Sequence, residues 1–189
     1  MKRRKGDKGF TLVEMIVATG LFAVVMLVSV VALLSLVNAN RKTQALHSVM
    51  NNLNIALDSM VRSIRMGTTY HCGEGNYAET QGCSNGNFVF AFESFSGDLG
   101  DTQDQWVYFH DPTTKRIYKS EDSGANSFAI TAPTVTIDSL TFYVVGTDTG
   151  DTEQPKVVIT VKGTAGADQA RTKTQFHIQA TAVQRILDI

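Results

Sequence analysis

The chain has 189 residues, of which 43% are hydrophobic and 19% charged, and its formal net charge is −1. This length suits one compact domain with an appendage. Basic residues are concentrated before residue 10, so the remainder is acidic, which excludes a general polyanion-binding protein because such proteins need clustered cations on the folded part. Two cysteines are too few for a disulfide-rich mini-protein or for a zinc site built mainly from thiolates.

The N-terminal segment predicts a membrane span. Residues 1–9 are basic and polar, and residues 10–37 form an apolar run whose single ionisable side chain is Glu14. As a helix, this run of about 42 Å exceeds the ~30 Å hydrocarbon core of a bilayer. It is also longer than the apolar region of a cleavable signal peptide, so cleavage near residues 37–39 is the less favoured alternative. The basic flank predicts a cytoplasmic N-terminus and an extracytoplasmic remainder.

Glu14 is the informative residue of this segment. A carboxylate within an apolar helix is costly, and no Lys, Arg or His accompanies it in the run. One explanation is a side chain that reaches the membrane interface. The other is a cation brought by a second chain, and cleavage after Gly9 creates such a cation in the α-amino group of Phe10.

Residues 8–14, with the sequence KGFTLVE, resemble the processing motif of type IV pilins and of the pseudopilins of type II secretion and competence systems. The resemblance implies that prepilin peptidase cleaves between Gly9 and Phe10, that Phe10 is N-methylated, and that Glu14 guides assembly. It also implies a structural protein rather than an enzyme. Its expected partners are other pilin or pseudopilin subunits and an inner-membrane assembly platform.

The same resemblance implies a single-pass protein of the bacterial inner membrane that enters a pilus or pseudopilus. It leaves open whether the system is a pilus, a secretion pseudopilus or a competence pseudopilus. Residues 62–65 and 181–185 resemble minor pilins and J-type minor pseudopilins, so we predict a minor rather than a major subunit. The alternative is a membrane-anchored extracytoplasmic binding module that does not assemble.

The helical period continues beyond the apolar run. Apolar residues recur at steps of three or four, which predicts an amphipathic continuation of the helix with one face available for packing. They are Leu46, Val49, Leu53, Leu57, Met60 and Ile64. Gly67 is the predicted stop. The membrane half contains Gly20 and no proline, so any kink would have to arise at Gly20.

The residues after 67 predict a β-rich head. Seven segments are rich in β-branched and aromatic residues, namely 88–92, 106–109, 116–118, 128–130, 140–145, 156–161 and 174–180. We predict an α+β protein in which an antiparallel sheet packs on the amphipathic half of the helix. The predicted regions are a leader (1–9), a transmembrane or filament-core helix (10–37), an amphipathic helix (38–66) and an extracytoplasmic head (67–189).

Cys72 and Cys83 lie in a segment rich in Gly and polar residues. Outside the cytoplasm a disulfide is the default for such a pair, and closing this loop contributes about 2–3 kcal/mol. The alternatives are free thiols, or a metal site with His71 that would need a fourth ligand and a reducing compartment. We predict the disulfide.

Two polar segments contain clustered acids, Asp98, Asp101 and Asp104 in the first and Asp148, Asp151 and Glu153 in the second. Clustered carboxylates suit calcium, but neither spacing is that of an EF-hand, so solvated turn residues are the favoured interpretation and calcium the alternative. No other cofactor is expected.

The sequence contains no catalytic motif that we recognise. The four histidines are scattered, no nucleophile elbow or phosphate-binding loop is present, and Trp106 lies in a strand pattern that predicts core packing. Because the head is acidic, we expect no direct binding of nucleic acid.

Overall fold

The computed structural model describes residues 9–148, 153–165 and 173–186. The chain divides into two compact units, Met1–Arg41 and Lys42–Ile189. Helix α1 spans Leu12–Met66 and contains all of the predicted helical periodicity. The helix is continuous through Gly20, so its secondary structure shows no break at the position where a kink could have arisen.

In the part of the chain that the structure describes, nine strands follow α1 and form two antiparallel sheets. They are β1 (Thr68–Cys72), β2 (Cys83–Asn87), β3 (Val89–Glu93), β4 (Trp106–Asp111), β5 (Arg116–Ser120), β6 (Ser127–Ala129), β7 (Thr136–Val145), β8 (Lys156–Ala165) and β9 (Thr174–Val183). The first sheet has the order β1-β3-β4-β5-β6 and the second β2-β7-β8-β9. The predicted α+β architecture, a long N-terminal helix packed with antiparallel sheets, is therefore confirmed.

The number of sheets differs from the prediction of one. Strands β1 and β2 were not predicted, because TTYHC and CSNGN lack the alternation of a typical strand. Their neighbours define them instead, since β1 pairs with β3 and β2 pairs with β7. Tertiary pairing thus overrides weak local propensity at both strands.

The C-terminal half of α1 forms one wall of a core shared with both sheets. Val49, Leu53, Leu57, Met60 and Ile64 are buried, as the periodicity predicts, and Leu46 packs beside them partly exposed. The first sheet contributes residues such as Phe90 and Phe92 to this core, and the second contributes residues such as Phe142 and Ile159. Burial of this apolar surface is the main stabilising term of the head.

The end of α1 is tied to the last strand. The Gly67 N–H bonds to the carbonyl oxygens of Ser63 (3.1 Å) and Ile64 (3.0 Å), so the helix stops where predicted. The Arg185 N–H then donates to the Arg65 carbonyl oxygen at 2.9 Å. This bond satisfies one of the carbonyl groups that a helix end leaves without a partner.

Candidate functional site

The N-terminal half of α1 presents an uncovered apolar surface. Every Leu, Ile, Val, Met and Phe side chain from Phe10 to Val37 is at least 40% exposed. Soluble proteins rarely expose contiguous apolar surface of this extent, so such a surface marks contact with a membrane or with other protein. Within the described residues, α1 is the one helix long and apolar enough to cross a membrane.

Glu14 lies in the first turn of this helix. Because α1 begins at Leu12, Glu14 is the third helical residue and Thr11 is the N-cap. The Thr11 Oγ1 accepts a hydrogen bond from the Glu14 N–H at 3.3 Å, and the Met15 N–H bonds to the Thr11 carbonyl oxygen at 3.2 Å. The Glu14 carboxylate is exposed and has no hydrogen bond or ion pair with any described residue.

This capping geometry was not predicted, although Thr11-Leu12-Val13-Glu14 has the S/T-x-x-E pattern of a helix start. The position gives Glu14 a favourable interaction with the helix dipole even before any partner is considered. Capping alone, however, is satisfied equally by glutamine at this position.

Gly9 and Phe10 precede the helix without regular secondary structure, and both are exposed. Phe10 is 77% exposed. Among the described residues, no heavy atom lies within 4 Å of a Cβ added at Gly9, so packing against them does not require glycine there. Lys8 and the rest of the basic leader lie outside the described residues, and the processing and methylation of Gly9 and Phe10 stay predictions.

A disulfide joins Cys72 and Cys83. Cys72 ends β1 of the first sheet and Cys83 begins β2 of the second, so the bond connects the two sheets. With both sulfurs in this bond, the alternative metal site with His71 loses its thiolates. The His71 ring instead places Nδ1 2.8 Å from the Glu79 carbonyl oxygen.

The acidic candidates of the first polar segment are engaged in turns. Asp98 Oδ1 accepts from the Gly100 N–H at 2.9 Å, and Asp101 Oδ1 accepts from the Gln103 N–H at 2.9 Å. The Asp104 Oδ2 accepts from the Asp98 N–H at 2.7 Å, which closes the loop on itself. In the part of the chain that the structure describes, no three His, Cys, Asp or Glu side chains form a metal-binding group. Of the second acidic segment, Asp151 lies outside the described residues.

Sequence reasoning missed Glu93, which ends β3 and is only 3% exposed. Burial raises the pKa of its carboxyl group, the Gln105 hydrogen bond lowers it, and the charges of Asp104, Asp98 and Asp101 raise it further. Glu93 follows an apolar run in the sequence, and only the fold brings it near Asp98, Asp101 and Asp104. A glutamate at the end of the apolar run Val89–Phe92 was the available signal.

Trp106 contacts the core and a buried lysine. Its ring meets Phe92 edge-on with centroids 6.0 Å apart, and the Lys119 Nζ lies 3.0 Å from its ring centroid. Burial lowers the pKa of Lys119, whereas the ion pair with Glu121 (2.6 Å) opposes that shift. Trp106 thus packs against Phe92 and Lys119. The ammonium group of Lys119 lies between the face of the Trp106 ring and the Glu121 carboxylate.

Comparison with known proteins identifies the N-terminal segment. A family model described as the prokaryotic N-terminal methylation motif matches residues 4–30, which include Gly9, Phe10 and Glu14. The match ends before the amphipathic half of α1 and leaves the head outside it. Searches of curated proteins and of solved structures found no match to the chain.

Proposed function

We propose, from the confirmed resemblance to type IV pilin-like prepilins, that this chain is a structural subunit of a pilus, a type II secretion pseudopilus or a competence pseudopilus. In this proposal prepilin peptidase cleaves between Gly9 and Phe10, Phe10 is methylated, and the protein works by assembling with other subunits. Residues 1–9 are the leader, 10–37 the transmembrane or filament-core helix, 38–66 the amphipathic helix and 67–189 the head.

The uncovered apolar half of α1 is the observation that carries this proposal. Every large apolar side chain from Phe10 to Val37 is exposed in the isolated chain. Insertion into a bilayer or packing in a bundle of like helices buries this surface. The same surface therefore serves first as a membrane anchor and then as filament core. From Val49 onward, by contrast, one apolar face of α1 is buried against the sheets of the head.

Glu14 is the proposed recognition point within that surface. Its carboxylate is exposed and has no partner among the described residues, and in an apolar filament core an unpaired charge costs several kcal/mol. The α-amino group of a processed Phe10 on a neighbouring subunit provides the opposite charge near the same end of the helix. Such a pair forms only when neighbouring helices adopt one axial register, so it would select correct assembly.

The basic leader supports a cytoplasmic N-terminus in the inner membrane with the head outside, by the positive-inside rule. The likeness of residues 62–65 and 181–185 to minor pilins supports a minor subunit. In the structure these two segments meet, through the bond between Arg185 and Arg65. Because the head carries an excess of acidic residues, its partners in this proposal do not include nucleic acid.

The test identifies the first residue of the mature protein and the mass of its N-terminal peptide. The full chain is expressed with prepilin peptidase, extracted in detergent and digested, and the N-terminal peptide is sequenced by mass spectrometry. We expect it to begin at Phe10 and to carry one added methyl group. A matched control is expression without the peptidase, in which the chain should begin at its leader.

Two results contradict the proposal. An N-terminus at Met1 in the presence of an active peptidase supports the alternative of a membrane-anchored binding module. An N-terminus at Asn40 indicates a secreted domain released by signal peptidase.

A further inference from the structure

Within the described residues, four strands form the outer edges of the two sheets. They are β1 and β6 in the first sheet and β2 and β9 in the second. An edge strand carries backbone N–H and C=O groups that point away from its sheet and can pair with a strand of another chain. Proteins prevent such pairing with short edge strands, bulges, prolines, charged side chains or a covering segment.

Three of these edges have such protection. Strand β1 has a register irregularity, and its Cys72 N–H bonds to the carbonyl oxygen of Gln81 at 2.9 Å, so another segment covers part of this edge. Strand β2 has an irregularity between Cys83 and Asn87. Strand β6 has three residues. None of the three therefore offers a long, regular row of backbone groups to a partner.

Strand β9 differs from the other three edges. Its ten residues, Thr174–Val183, pair with β8 as ten consecutive residue pairs without a register irregularity. The strand contains no Lys, Arg, Asp, Glu or Pro. Among the described residues its backbone pairs with β8 alone. A long, regular edge without charge or proline is suited to strand addition, in which a partner strand extends the sheet.

The side chains of β9 alternate between the core and the outside. On the core side Phe176 and Ala182 are buried. Ile178 and Ala180 pack against the same core but stay partly exposed. The outer side presents exposed polar side chains, namely Gln175, His177, Gln179 and Thr181. A strand that carries apolar residues on the core side and polar residues outside would therefore complete the burial of Ile178 and Ala180.

We propose that this edge pairs with β9 of a second copy of the chain, so that the two four-stranded sheets become one continuous antiparallel sheet. Strand β9 itself has the alternation that its edge requires in a partner. Because it contains no Lys, Arg, Asp or Glu, pairing it with itself sets no such like charges opposite one another. The backbone groups of each strand satisfy those of the other.

The two-fold symmetry of this pair restricts its register. Opposed residues of an antiparallel pair lie on the same side of the sheet, so apolar residues must meet apolar residues. An axis at Gln179 sets Phe176 opposite Ala182. It also sets Ile178 opposite Ala180, so that a large side chain meets a small one at both positions. Gln179 then lies opposite the same residue of the second copy.

This contact joins two heads side by side, because the partner strand runs in the opposite direction. It is isologous, with the same surface used by both copies. A polar helical filament is built instead from heterologous contacts, in which one surface binds a different surface of the next copy. The proposal is therefore independent of the filament role.

The test is site-specific cross-linking of the full chain in detergent micelles. Gln179→Cys should form a disulfide-linked dimer on mild oxidation, because the Cβ atoms of opposed residues lie about 4.5–5.5 Å apart. The matched control is Gln175→Cys, which is exposed on the same side of the same strand. Its two copies would lie about 27 Å apart, eight residues along the strand, so this variant should stay monomeric on oxidation.

A second pair of variants tests the association without a cross-link. Gln179→Lys places two like charges opposite each other at the axis, so the dimer dissociation constant should rise about two- to fivefold. Gln175→Lys lies away from the axis and should leave that constant unchanged. Sedimentation of the full chain in detergent measures both. Both positions are exposed, so an unchanged thermal unfolding curve shows that the variants fold.

Three results would overturn the proposal. The first is an unmodified chain that sediments as a monomer over the whole concentration range. The second is equal cross-linking of Gln175→Cys and Gln179→Cys, which indicates random collision. The third is a dimer that Gln179→Lys does not weaken, which would place the association on another surface, such as the apolar half of α1.

Discussion

Two glutamates show how position decides the role of a single residue. Glu14 lies at an exposed helix start, where the dipole and the Thr11 cap favour an acid. Glu93 lies buried at the end of a strand, where desolvation and three aspartates oppose its charge. The charge of Glu14 is therefore favourable in the isolated chain, and its proposed role requires a neighbouring subunit. The charge of Glu93 is unfavourable at its buried position.

At this scale we predict that Glu14→Gln impairs incorporation into filaments. Glutamine keeps the helix-capping pattern and removes only the charge, so a loss isolates the proposed ion pair from capping. The measurement is co-purification with the major subunit from cells that lack the unmodified protein. Glu14→Leu, which removes both features, should be at least as defective.

A control for folding accompanies this variant. The head lies far along the chain from residue 14, so the thermal unfolding of Glu14→Gln in detergent should match that of the unmodified chain. Normal co-purification of Glu14→Gln would show that incorporation into filaments does not depend on the charge of Glu14.

The two halves of helix α1 differ in how their apolar side chains are exposed. Up to Val37 its large apolar side chains are exposed all round, and from Val49 onward one face is buried in the head core. A surface that is apolar all round suits lipid or a helical bundle, while a one-sided stripe suits packing on a sheet. One continuous helix thus has an uncovered apolar surface towards its N-terminus and forms a wall of the head core towards its C-terminus.

At the scale of the element we predict that Leu57→Ala destabilises the head by about 2–5 kcal/mol, because it removes a buried side chain and leaves a cavity. The matched control is Ile55→Ala on the same helix, where the side chain is 64% exposed and the expected change is within about 0.5 kcal/mol. Urea unfolding of the full chain in detergent, followed by Trp106 fluorescence, measures both. Equal losses in the two variants would contradict the one-sided packing of this half.

In the head as a whole, the two sheets share one core and one covalent link. The core combines residues of α1 with residues of both sheets, and the disulfide between Cys72 and Cys83 joins a strand of each. The bond therefore restricts the unfolded chain over a short loop and also holds the two sheets together at that end. Cys72 is fully buried, so its reduction leaves a thiol in the core.

We predict that replacing both cysteines, as Cys72→Ala with Cys83→Ala, lowers the free energy of unfolding by about 2–3 kcal/mol. The unmodified chain should lose a similar amount in reducing agent, and the double variant should be insensitive to that agent. Urea unfolding with and without reductant measures all four conditions. A chain that unfolds identically with and without reductant would show that the disulfide does not stabilise the head.

The sequence predicted those features that depend on neighbours along the chain. The end of α1 at Gly67 and its buried face both follow from the helical period and from glycine as a stop signal. The motif around Gly9 was equally visible, because it is contiguous. The capping role of Thr11 was visible too and was overlooked.

The features that escaped prediction depend on contacts between distant residues. Strands β1 and β2 exist because β3 and β7 pair with them. Glu93 lies near Asp98, Asp101 and Asp104 because the pairing of β3 with β4 brings together the ends of the loop formed by residues 94–105. The sequence by itself determined an apolar N-terminal helix with one acid in its first turn, since helical period and composition are local. Only the tertiary structure decided that the described strands of the head form two sheets and that Glu93 is buried near Asp104, because strand pairing between remote segments sets both.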